Sequence, residues 1–127
     1  MSPSPGIRWI LGIILLNRVC AEDILDPCSP CPESCNCDVD LQQLCIVNCT
    51  SARISDFPAL NSLPSNELII ELDLKSNQIP DIPTETFINF TKIEKLNFYG
   101  NEIENLTDDV FENLDTLKTL FVLVMLV

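Results

Sequence analysis

Two stretches of this 127-residue chain are copies of one another at a constant offset of 24 residues. Glu71-Leu72-Asp73-Leu74-Lys75-Ser76-Asn77-Gln78-Ile79 aligns with Lys95-Leu96-Asn97-Phe98-Tyr99-Gly100-Asn101-Glu102-Ile103, and the match continues through Ile82/Leu106, Phe87/Phe111 and Phe90/Leu114. A repeat of this length is one structural unit that cannot bury its apolar face alone and must stack on its neighbour. Leu72 and Leu74 alternate with polar residues, the pattern of a short strand with one buried face. Stacked copies of that strand form a parallel sheet. Its outward columns are Glu71–Lys95–Thr119, Asp73–Asn97–Phe121 and Lys75–Tyr99–Leu123.

After each strand the chain turns inward. Asn77 and Asn101 mark that turn, where a buried carboxamide serves backbone groups of adjacent coils that would otherwise lack partners. Ile79, Ile82, Phe87 and Phe90 fill the interior along the returning arc. Pro80 and Pro83 oppose a regular helix across 79–83, so the arc is expected to be irregular, with at most one helical turn near 84–88. A third copy begins with Leu117, Leu120 and Val122 but has Met125 where the next asparagine belongs. A thioether cannot donate to backbone carbonyls. The chain then ends in an apolar run, Leu120–Val127, with Phe121 and Leu123 at outward positions. Eight residues are too few for a membrane span or a lipid-anchor signal. The third repeat therefore reads as truncated, the mark of a shortened version of a longer repeat protein, and its open C-terminal end as a surface for self-association or for a parent receptor's further repeats.

The first 21 residues have a different character. Arg8 supplies a positive start, Trp9–Leu16 an apolar run, and Val19-Cys20-Ala21 a small-residue cleavage pattern, which together predict a signal peptide at 1–21 with Glu22 as the mature N-terminus. A spanning helix needs about 20 apolar residues, and Asn17 and Arg18 end the run first. No membrane span is expected in the mature chain. Loss of Arg8 and Arg18 leaves 5 basic against 19 acidic residues, 5 − 19 = −14, a balance that excludes nucleic acid as a partner.

Removing Cys20 leaves Cys28, Cys31, Cys35, Cys37, Cys45 and Cys49, all upstream of the repeats. An even number behind a secretion signal reads as disulfides, because the export route is oxidising. Cys28-x-x-Cys31 has zinc-ligand spacing, but the chain contains no histidine and an exported protein disfavours free thiolates. The domain plan is thus a signal peptide (1–21), a flexible lead-in (22–30), a cysteine-rich cap (31–64) and repeats (65–127).

The combination of cap and repeats resembles the extracellular leucine-rich-repeat proteins, among them Slit, the small leucine-rich proteoglycans and Toll-type receptors. Cys31-Pro32-Glu33-Ser34-Cys35-Asn36-Cys37 followed by Cys49 is similar to their N-terminal flanking module, C-P-x-x-C-x-C and then a V-x-C strand. Phe57-Pro58 and Leu63-Pro64 resemble the proline-marked link into the first repeat. The resemblance implies an α/β leucine-rich-repeat solenoid with its parallel sheet on the concave face. It also implies the pairings Cys31–Cys37 and Cys35–Cys49. Cys28 and Cys45 lie outside the four-cysteine pattern and are left to each other, although six cysteines allow many connectivities. Such a cap shields an interior and a strand edge that would otherwise be exposed.

Three N-x-T motifs occur at Asn48, Asn89 and Asn105. Asn89 and Asn105 adjoin interior residues, so their own side chains should point outward; Asn48 is disfavoured because its motif contains Cys49. Without histidine, no Ser-His-Asp, Cys-His or His-ligated metal site exists. Three glycines are too few for a phosphate loop, and Asp108-Asp109 falls on a solvated turn. Neither an enzyme nor a cofactor or metal is implied. The expected function is recognition of a protein ligand by the concave face, with Asp73, Lys75, Lys95, Asn97, Tyr99 and Phe121 as contact candidates. The Glu71–Lys95 pair is expected to neutralise itself. Alternatives of another kind are a small disulfide-rich secreted effector acting through the cysteine zone, or a shortened product without stable function.

Overall fold

The computed structural model describes residues 26–57 and 62–124. The signal segment expected at 1–21, Pro58 and Met125 lie outside the described residues.

Five short strands form one sheet in which neighbours follow chain order: β1 (Asn36–Val39), β2 (Cys45–Asn48), β3 (Ile69–Asp73), β4 (Lys95–Asn97) and β5 (Thr119–Phe121). β1 and β2 pair antiparallel, and all later pairs are parallel. Parallel neighbours need a crossover. Here the 24-residue repeat supplies it, since Glu71 faces Lys95 and Lys95 faces Thr119, while Leu72 faces Leu96 and Leu96 faces Leu120. One irregularity between Cys45 and Ile46 shifts the register by a residue, skipping Ile70 of β3, so that Val47 faces Leu72.

The antiparallel pair was not expected from the sequence. Its turn is organised by Asp40, whose Oδ1 accepts from the amides of Gln42 (2.9 Å) and Leu44 (2.8 Å). Gln43 takes a left-handed φ of 65° to complete it. Disulfides join Cys28 to Cys45, Cys31 to Cys37 and Cys35 to Cys49, the pairs anticipated above. Cys28, Cys45 and Cys49 are buried in the core itself. Within the expected lead-in, the cross-link draws Cys28 inside, and the Cys28 amide donates to Asp26 Oδ1 at 2.9 Å.

The interior is built from stacked columns. Val47, Leu72 and Leu96 are buried in register, and Cys49, Leu74 and Phe98 form the next column. Burying each such aliphatic side chain is worth about 1.5–3 kcal/mol. Leu120 continues the first column but is 37% exposed, against 0% for Leu96. At the back of the arc sits an aromatic cluster centred on Phe87, with ring centroids 5.2 Å from Phe90, 5.7 Å from Phe57, 5.8 Å from Phe111 and 5.9 Å from Phe98. Such pairs add about 0.5–1.5 kcal/mol each beyond simple burial.

The α/β expectation overstated the helix. The helical segments within the described residues are short 3-10 turns, among them Asn66–Leu68 and Asp108–Phe111. Across the first arc the chain makes only turns, with the Thr86 amide donating to Pro83 O at 3.1 Å and Phe90 to Phe87 O at 3.0 Å. Pro80 and Pro83 remove donors and fix φ, which denies a longer helix its hydrogen bonds.

Besides Arg53 (60°) in the first turn, each inward turn has a left-handed φ at the same position: Ser51 (53°), Ser76 (59°) and Gly100 (75°). They are equivalent positions, each two residues beyond Cys49, Leu74 and Phe98, whose amides donate in series to Asp73 O, Asn97 O and Phe121 O. After the second and third of these turns an asparagine closes the ladder. Asn77 Nδ2 donates to Cys49 O and Leu74 O, both at 2.9 Å, and its Oδ1 accepts from the amides of Ala52 (2.9 Å) and Ile54 (3.0 Å). Asn101 repeats this one coil later, donating to Leu74 O (2.8 Å) and Phe98 O (3.0 Å) and accepting from the Ile79 amide (3.0 Å). Both carboxamides are buried, and their polar atoms are served.

Candidate recognition face

The strands turn Leu72, Leu74, Leu96 and Phe98 inward, and so place Glu71, Asp73, Lys75, Lys95, Asn97, Tyr99 and Phe121 on the opposite face. The columns that result are the expected ones within the sheet, Glu71–Lys95–Thr119 and Asp73–Asn97–Phe121.

These residues are not equivalent. Asn48, Asp73 and Asn97 lie in one cross-strand column, and each folds its Oδ1 back onto the amide two residues ahead: Thr50 at 2.9 Å, Lys75 at 2.9 Å and Tyr99 at 3.0 Å. The side chain thereby stabilises the exit from its own strand. Asp73 and Asn97 are half-buried, and part of their bonding capacity is spent on the fold. This role was missed in the sequence, although Asn, Asp and Asn at equivalent strand ends were the available signal.

Phe121 breaks that column because it has no oxygen to offer. Its ring stands 47% exposed, and Tyr99 beside it is 53% exposed. Lys75, Asn97, Tyr99 and Phe121 surround an open depression of about 330 Å³. Lys75 and Lys95 are exposed, and neither forms an ion pair among the described residues. The expected neutralisation of Lys95 by Glu71 therefore does not occur, even though the two are direct cross-strand partners. Among the described residues an ion pair joins Lys118 to Glu94 at 3.3 Å, on exposed side chains where it is worth about 0–1 kcal/mol.

The arrangement offers two aromatic rings, unpaired ammonium groups and a carboxamide on a rigid sheet. That is the composition of a protein contact surface, in which aromatic residues are the usual anchors. Among the described residues, no group of His, Cys, Asp or Glu side chains could hold a metal ion, and no helix is long and apolar enough to cross a membrane. Asn48, Asn89 and Asn105 are all exposed.

Comparison with known proteins agrees with this architecture. Residues 69–122 match the leucine rich repeat family. The matched leucine-rich repeats run from the start of β3 to just beyond β5. Over 114 residues, 89% of its length, the chain is 32% identical to leucine-rich repeat-containing protein 3 of Danio rerio, and covers 38% of that protein. It is 28% identical over 120 residues to leucine-rich repeat-containing G-protein coupled receptor 5 of Rattus norvegicus, covering 90% of this chain and 13% of the receptor. With protein toll of Drosophila melanogaster it shares 28% identity over 80 residues, 62% of this chain and 7% of that protein. The chain thus spans well under two thirds of the length of these relatives.

Proposed function

We propose that this chain is an extracellular recognition module, in which leucine-rich repeats stacked as a short solenoid bind a protein partner through the sheet face. Residues 1–21 act as its signal peptide, the disulfide-bonded segment through residue 64 caps the stack, and residues 65–127 carry the repeats. Several observations support the reading. Three disulfides persist only in an oxidising compartment. Residues 69–122 match the leucine rich repeat family, and two of the relatives are a receptor by name and the protein toll.

The single observation that carries it is the cluster of Tyr99 and Phe121 beside Lys75 and Asn97 on the sheet. Two large apolar rings held half in water cost solvation, and on a rigid sheet they are placed to anchor a partner.

The cap offers a rival surface. Leu41, at the tip of the β1–β2 hairpin, is 95% exposed, as a small disulfide-rich effector would present an anchor. Cutting the chain after the cap does not separate the two readings, because β2 is hydrogen-bonded to β3 and the Cys49 amide donates to Asp73 O. Point variants do. The exported protein is screened against a panel of cell-surface and matrix proteins, and the partner found is titrated with Tyr99→Ala, Phe121→Ala and Leu41→Ala. The sheet-face reading requires each aromatic variant to weaken binding at least about tenfold, the loss of one central anchor, with Leu41→Ala neutral. Loss at Leu41 with both aromatic variants intact would transfer the function to the cap.

A further inference from the structure

We propose that Asn89 and Asn105 carry N-linked glycans and that Asn48, despite an equally good motif, does not. The inference rests on the export reading above, since the modification takes place in the secretory route. It requires Nδ2 of the asparagine to attack C1 of an oligosaccharide carried on a lipid pyrophosphate. The N–C1 bond forms, the C1–O bond to the pyrophosphate breaks, the lipid pyrophosphate leaves, and one Nδ2 proton passes to base. The host's transferase must therefore reach the carboxamide and draw in the backbone through the following threonine.

The three motifs differ in how freely they permit this. Asn89-Phe90-Thr91 closes the run of turns at residues 84–89, outside every strand, with Asn89 and Thr91 both exposed. The Asn89 carboxamide forms no side-chain hydrogen bond among the described residues, and it borders an open depression with Ser65, Asn66 and Glu67. Asn105-Leu106-Thr107 is anchored to the previous coil by a single isolated bridge, Asp81 to Asn105. Its Asn and Thr are exposed, and the Asn105 carboxamide is likewise free among the described residues.

Asn48-Cys49-Thr50 is held on every side. Asn48 belongs to β2, the strand paired to both β1 and β3. Its Oδ1 is bound to the Thr50 amide at 2.9 Å. Cys49 is fully buried, bonded to Cys35, with its amide on Asp73 O. Freeing this backbone means opening a disulfide and the edge of the first repeat together.

The distribution has a consequence. Asn48 shares the column of Asp73, Asn97 and Phe121, so a glycan there would stand on the proposed recognition face. Asn89 and Asn105 lie outside the strands, and glycans on them leave Tyr99 and Phe121 open.

The test expresses the full chain in a mammalian secretory cell in two forms, one with its own leader and one with residues 22–127 behind an established secretion leader. Wild type, Asn48→Gln, Asn89→Gln and Asn105→Gln are compared before and after peptide N-glycosidase, and the asparagine-to-aspartate conversion is located by mass spectrometry. Two glycans are expected on wild type and on Asn48→Gln, and one on each of the other variants. Conversion at Asn48, or none at Asn89 or Asn105 in exported protein, overturns the proposal. Export with the foreign leader but not with the native one counts against the signal-peptide reading alone, because the glycan count is then still read from the second form.

Discussion

Asn77 and Asn101 share an acceptor: the carbonyl of Leu74 receives Nδ2 of Asn77 at 2.9 Å and Nδ2 of Asn101 at 2.8 Å. Each asparagine thus binds its own coil to the one before it, and consecutive asparagines meet on one oxygen. The link is mechanical as well as energetic, since moving either turn disturbs both.

Because a second donor remains on Leu74 O when one asparagine is lost, the cost of each substitution falls on its other partners. For Asn77→Leu these are Cys49 O, Lys75 O and the amides of Ala52 and Ile54; for Asn101→Leu, Phe98 O and the Ile79 amide. A buried polar group without a partner costs about 1–3 kcal/mol. Asn77→Leu is expected to lower unfolding free energy by about 3–5 kcal/mol and Asn101→Leu by somewhat less. Urea denaturation of the two variants checks the order.

The aromatic cluster should be the most sensitive part of the core. Phe87 touches four other rings across three successive segments of the chain. Phe87→Ala leaves a cavity between coils and is expected to cost about 3–5 kcal/mol, read by the same denaturation. Ile88→Ala, at an exposed neighbouring position, should stay within about 0.5 kcal/mol.

The equivalence of Ser76 and Gly100 predicts opposite signs for opposite exchanges. Both sit at positive φ, 59° and 75°. A side chain in that region costs roughly 1–2 kcal/mol, partly offset by the entropy a non-glycine residue removes from the unfolded chain. Gly100→Ala is expected to destabilise by about 1 kcal/mol, its added Cβ meeting Ser76 Oγ at an ordinary 3.4 Å. Ser76→Gly should be neutral or stabilising by up to about 1 kcal/mol. Thermal unfolding of the pair decides.

Loss of the Cys28–Cys45 cross-link should be felt in the core. The Cys28–Cys45 disulfide closes a 17-residue separation, and loops of that size are worth about 3 kcal/mol. Replacing both cysteines with serine also puts two hydroxyls in buried sites. The expected loss is about 3–5 kcal/mol, measured against Cys31→Ser with Cys37→Ser, whose cysteines are less buried and whose separation is 6 residues. That second pair should cost less.

What could be read in advance follows from the kind of signal each element leaves. Leu72/Leu96 and Asn77/Asn101 repeat with period and chemistry together, so strand register and ladder were both legible. The outward columns followed from alternation alone. Asp73 and Asn97 were read as ligand contacts because an outward polar residue looks the same whether it faces a partner or its own backbone; only the geometry shows the oxygen turned onto Lys75 and Tyr99. The β1–β2 hairpin was hidden because its turn depends on one carboxylate, Asp40, within a segment dominated by cysteine. Phe57 was read as part of a linker, and its place in the aromatic cluster depends on a contact with Phe87 thirty positions away. The irregular arc was legible in Pro80 and Pro83, which oppose a regular helix there; only the general α/β label suggested more helix than the chain forms.

The central claim is that adjacent 24-residue repeats lie as neighbouring parallel strands, with Leu72 opposite Leu96. In that register the Leu74 amide donates to Asn97 O at 2.8 Å, a bond between residues in different repeats. A through-hydrogen-bond NMR coupling from the Leu74 amide nitrogen to the Asn97 carbonyl carbon measures it directly. The register predicts that coupling, together with its counterpart from Phe98 to Phe121. A Leu74 amide coupled to any other carbonyl, or exchanging with solvent as an unpaired group does, would contradict it.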